Sequence, residues 1–127
     1  MPRRAGEVMA RAAVLRDIVR ALQREPVGLM PEAGGSGTLR QPLEGSGLFV
    51  HSLGRRSVPV IPVGLWDDGN TLVVSFGPPL SVAPAGEDRP EQDRSASEQM
   101  MVAIGRLLPE RQWGAYHEAI QRSLGGI

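Results

Sequence analysis

Apolar positions recur at helical spacing over residues 7–24, at Val8, Ala12, Leu15, Val19 and Leu22, with Ile18 widening the stripe and Arg11, Arg16, Arg20 and Arg24 elsewhere. That pattern predicts an amphipathic helix. Pro26 ends it, because proline disfavours helical geometry in the preceding residue and cannot donate to the ladder. Residues 27–30, Val-Gly-Leu-Met, form a continuous apolar run that reads as a short strand covered on both faces. Pro31 stops it, and a loop with three glycines, Ser36 and Thr38 follows.

A short helix is predicted over 43–53, carrying Leu48, Phe49 and Leu53, with Gly45 and Gly47 letting its start pack closely on a neighbour and Gly54 as its C-cap. Residues 58–63 (Val-Pro-Val-Ile-Pro-Val) are rich in β-branched side chains, but two prolines each remove a ladder donor, so the strand should be irregular or near an edge. The turn signal Asp67-Asp68-Gly69-Asn70 leads into a strand over 71–76 that pairs with it as a hairpin. Residues 83–95 are charged without an apolar period and read as a solvated linker. Two helices should follow, over 96–108 and 112–124, separated by Pro109.

The expected architecture is α/β: a partial mixed sheet of about three strands flanked by helices, with a C-terminal helical pair. The order is helix-strand-helix-strand-strand-helix-helix. The chain divides into an α/β part over 1–82, the polar linker over 83–95 and the helical pair over 96–127.

A chain of 127 residues suits one small domain. Lys and Arg total 14, as do Asp and Glu, so no global field would recruit nucleic acid or anionic lipid. Cysteine is absent, which removes disulfides and thiolate metal sites, and only His51 and His117 could serve as imidazole ligands or bases. No apolar run approaches the roughly 20 residues of a spanning helix, nor is there a signal-peptide core. The expected location is cytoplasmic.

Glu32 is the leading candidate for chemistry. A carboxylate directly after a strand and before a glycine-rich turn lies where open α/β sheets bind ligands. A second reading fits equally, in which it accepts backbone N–H bonds and shapes the turn. Gly34 and Gly35 leave backbone N–H groups open to an anion, or simply form a turn. Arg55 and Arg56 complement the helix dipole at the end of the 43–53 helix or attract phosphate. A Ser–His–acid arrangement would need His51 or His117, and helical periodicity accounts for both without catalysis.

Over residues 8–82 the ordered pieces resemble the glycerol-phosphate and lysophosphatidic-acid acyltransferase family. In that family a strand enters a Phe-Pro-Glu-Gly-Thr-Arg motif, followed by a glycine-containing helix and a Val-Pro-Val-x-Pro-Val strand. Met30-Pro31-Glu32 matches the first, Gly45 the helix glycine and Val58 to Val63 the strand, with Pro62 on its proline, and Phe76-Gly77-Pro78-Pro79-Leu80 resembles the closing strand. The resemblance implies acyl transfer from acyl-CoA or an acyl carrier protein thioester to a lysophospholipid, with no other cofactor and no metal. Glu32, Gly34, Gly35 and Pro62 would bind substrate, and the location could be peripheral at the inner membrane face.

Two departures accompany these matches. The family's His-x-x-x-x-Asp base motif is absent, because Arg56 follows His51 at that spacing and Arg122 follows His117. Loss of a general base removes a factor of about 10² to 10⁴. The loop arginine that would hold phosphate bidentately is replaced, with Arg40, Arg55 and Arg56 as possible substitutes. The resemblance therefore implies the C-terminal half of an acyltransferase, truncated, with no catalytic residue of its own. The alternative is a non-catalytic module that binds acceptor, self-associates, or pairs with a partner chain supplying the missing half.

Overall fold

The computed structural model describes residues 5–32 and 37–125, with side chains from residue 14 onward. Residues 1–30 and 31–127 form two compact units. The first is built on α1 (Ala5–Leu22), the helix expected from the apolar stripe. It closes with the Gln23 N–H on the Arg20 carbonyl and the Arg24 and Glu25 N–H groups on the Ala21 carbonyl, just before Pro26.

The second unit holds α2 (Ser46–Arg55), β1 (Val63–Asp68), β2 (Thr71–Phe76), α3 (Arg89–Gly105), two short 3-10 turns (Glu110–Gln112 and Gly114–Tyr116) and α4 (His117–Leu124). The protein is thus mixed α and β. Its sheet, among the described residues, is a two-stranded antiparallel hairpin. The strand expected over 27–30 is not formed, because a strand persists only while a neighbour takes its backbone groups, and β1 and β2 take each other's.

The first hairpin strand also lies further along than expected. Pro59 and Pro62 keep 58–62 out of the regular ladder, which starts at Val63. The pairing trails on irregularly: the Gly77 N–H donates to the Pro62 carbonyl at 3.0 Å, and the Leu80 N–H to the Val60 carbonyl at 2.7 Å. Val63 pairs with Phe76, so continued register would set Val60 against Pro79. The shift to Leu80 is a one-residue bulge at the two prolines.

The polar stretch read as a linker is helical from Arg89. The Asp88 side chain accepts the Glu91 N–H at 2.9 Å, Pro90 occupies the first turn, and Glu91 Oε2 accepts the Glu87 N–H at 3.0 Å, a reciprocal cap. The final helix is shorter than expected, because Gly114, at φ 52°, breaks residues 110–116 into two 3-10 turns.

The core gathers Leu39, Val50, Val82, Ala96, Met100, Met101, Trp113 and Ile120. Trp113 satisfies its indole N–H on the Gly105 carbonyl at 2.9 Å. Leu39 is clamped beside it, donating its N–H to the Gln112 carbonyl (2.9 Å) and accepting the Ala115 N–H (3.0 Å). A side chain at Gly114 would strike the Leu39 backbone, so glycine is required there by approach as well as by φ.

Candidate functional site at the neck of the glycine-rich loop

The loop that begins at Pro31 is closed by two hydrogen bonds. The Leu43 N–H donates to the Pro31 carbonyl at 2.9 Å, and the Arg40 N–H donates to Glu32 Oε2 at 2.9 Å. Glu32 therefore shapes the turn, the second of the two roles its position suggested. Gly34 and Gly35, expected to offer N–H groups to an anion, lie outside the described residues.

The neck is anchored to the amino end of α2, since the Leu43 carbonyl in turn accepts the Ser46 N–H and hydroxyl. Arg55 and Arg56 lie exposed at the opposite end, roughly 15 Å away along a ten-residue helix. That separation prevents them from replacing a loop arginine beside Glu32. Pro62 is buried at the hairpin base, its ring against Gly77 and its carbonyl bonded to the Gly77 N–H. It packs the hairpin there.

Tyr116 closes the second 3-10 turn (Gly114–Tyr116), half-buried against the core. Burial pushes its hydroxyl above the ordinary value of 10.0, and the charges of Glu98 and then Glu32 push the same way. The phenol thus stays protonated through neutral pH. Glu98 also lies 3.7 Å from an Arg122 guanidinium nitrogen and lines an open depression of about 370 Å³ between α3 and α4, with Ser95, Gln99, Val102, Ala119 and Ser123.

Both histidines are engaged elsewhere. His51 Nδ1 is 3.3 Å from the Val82 carbonyl, which fixes that nitrogen as the donor. His117 Nε2 is 3.0 Å from Glu110 Oε1, with its ring 5.4 Å from that of Trp113. Among the described residues there is no cluster of three or more His, Asp or Glu able to hold a metal, and no helix long and apolar enough to cross a membrane.

Comparison with protein-family models, curated proteins and solved structures gave no match.

Proposed function

We propose that this chain is the acceptor-binding portion of a lysophospholipid acyltransferase-like domain, without acyl-transfer activity of its own. The observation that carries the reading is the Glu32 carboxylate directly after the Pro31 that ends the apolar run, where the Arg40 amide bond that shapes the turn also fixes the carboxylate's position. The ordered motifs from Met30 to Leu80 support it. Glu32 would hold the glycerol portion of a lysophospholipid, and a base supplied elsewhere would take the proton of the acceptor hydroxyl, whose oxygen would attack the thioester carbonyl and release the thiol of CoA or acyl carrier protein. On this reading the chain works in the cytoplasm, peripherally at the inner membrane face.

The test is binding and turnover with lysophosphatidic acid and acyl-CoA. Glu32→Gln keeps an oxygen to accept the Arg40 N–H while removing the charge, so the loop survives. The expected result is saturable lysophosphatidic acid binding that weakens about tenfold in E32Q, the scale of one charge-assisted hydrogen bond, with no turnover above background. Absence of binding, or turnover that survives Glu32→Ala, overturns the reading.

A non-catalytic interaction module is the second reading. It is favoured by one face of the hairpin, whose apolar side chains stand in solvent.

A further inference from the structure

Along the hairpin, side chains alternate between two faces, as the two-residue period of strands demands. The inner face is covered: Pro62 and Gly64 are buried, Val60 packs on the core, and a Cβ at Gly64 would meet Leu107 Cβ at 2.8 Å. The outer face is not. Val63, Leu65, Leu72, Val74 and Phe76 retain 39, 50, 65, 46 and 71 % of their surface. Cross-strand register unites them, since Val63 pairs with Phe76, Leu65 with Val74 and Asp67 with Leu72. Ile61, two residues before Val63, is 43 % exposed and extends the stripe.

We propose that this outer face is a homodimer interface, packed against the same face of a second copy of the chain. Together these side chains expose on the order of 500 Å², at the upper end of what monomers leave open. Two such faces remove about 1,000 Å² from water, the lower bound of biological interfaces and the range of weak dimers. A two-fold contact needs only this one patch, because each copy supplies the complement of the other. With 14 cations and 14 anions per chain, two copies meet without net repulsion. A two-fold axis parallel to the strands sets Val63 over the second copy's Phe76 and Leu65 over its Val74, small against large. The same axis sets Asp67 over the second copy's Leu72, so the carboxylate and Leu72 lie at the rim of the contact, near the turn. Asp67 and Asp68 set carboxylates beside the patch and so disfavour an anionic bilayer as its occupant.

The inference stands apart from the acyltransferase reading, and its test uses no lipid substrate. Light scattering of the full chain at about 50 μM should give twice 13.6 kDa. Leu65→Lys with Phe76→Lys should give the single-chain mass with an unchanged circular dichroism spectrum. Leu65→Thr with Val74→Thr, which keeps strand propensity, should weaken the dimer at least tenfold and guards against misfolding of the lysine variant. A wild-type monomer at that concentration overturns the proposal, as does a dimer or larger particle that persists in both variants. Wild-type monomer that floats with phosphatidylcholine vesicles overturns it in favour of a lipid surface.

Discussion

Asp93 caps a helix that is not its own: its Oδ2 accepts the Gly45 N–H at 2.8 Å, while Oδ1 accepts the Leu48 N–H at 3.1 Å. Gly45, at φ 94°, is the N-cap of α2 and has no side chain to cap with. The capping charge therefore comes from α3, where it also meets the positive end of the α2 dipole. Ser97 Oγ, one turn on, accepts the Gly47 N–H at 3.1 Å. Removing the carboxylate with Asp93→Ala leaves two N–H groups without acceptors and should lower stability by about 2–3 kcal/mol. Asp93→Asn keeps one oxygen and should cost about 1 kcal/mol. Urea denaturation measures both, and an alanine variant within about 0.5 kcal/mol of wild type contradicts this role.

Gly47→Ala should destabilise despite alanine's better helix propensity. A Cβ there would run into the Ser97 backbone nitrogen and come within 2.7 Å of the Asp93 carbonyl, so α2 and α3 must separate. Overpacking of this kind costs about 1–3 kcal/mol, against about 1 kcal/mol gained in propensity, and the loss of the two Asp93 bonds decides the sign. Gly54 supplies the control on the same helix, because a Cβ there meets nothing within 4 Å. Gly54→Ala should raise the melting temperature while Gly47→Ala lowers it.

The helix–helix approach was legible in part: two glycines at the start of a predicted helix imply a close neighbour, and Gly47 has one. Which neighbour was not legible, because Asp93 lies in a run of charges without apolar period, and such runs read as solvated. A local signal for α3 was nonetheless present, in Asp88, Pro90 and Glu91 at the spacing of a reciprocal cap. The hairpin turn was readable because only a few residues suit it: Gly69 takes φ 74° and Asn70 follows it, between the paired Asp68 and Thr71. The apolar run at 27–30 misled, since hydrophobicity reports covering and says nothing of a hydrogen-bonding neighbour. At the candidate site, Glu32 stood out by its place beside glycine and proline. The effect of the Glu32 charge on Tyr116 was not legible, because it acts between residues 84 positions apart and depends on the tertiary fold.

Ser57→Gly should stabilise the chain by about 1 kcal/mol. α2 runs past Gly54, the expected cap, to Arg55, and the residue in left-handed geometry is Ser57 at φ 61°. Its N–H donates to the Gly54 carbonyl and the Val58 N–H to the Leu53 carbonyl, both at 3.0 Å, a Schellman closure in which glycine is the unstrained choice. A thermal midpoint unchanged or lowered in the glycine variant contradicts this account.

Tyr116 is the chain's one tyrosine, so phenolate absorbance reports it alone. Its titration should lie above 10.0 in the folded protein and return to the ordinary value on denaturation. Glu98→Gln should lower it more than Glu32→Gln, following the order of the two charges, and neither should bring it fully back, because burial is the larger cause. The linkage sign follows from the protons held. Above pH 10 the unfolded chain has released this proton while the native state still holds it, so the unfolded state binds fewer protons and stability falls as pH rises. The contribution is therefore complete below pH 10 and is lost as pH climbs through the raised native value. Replacing the hydroxyl with Tyr116→Phe should flatten that alkaline decline in urea midpoints measured across the same window. A decline of equal slope in the phenylalanine variant would place the titrating group elsewhere.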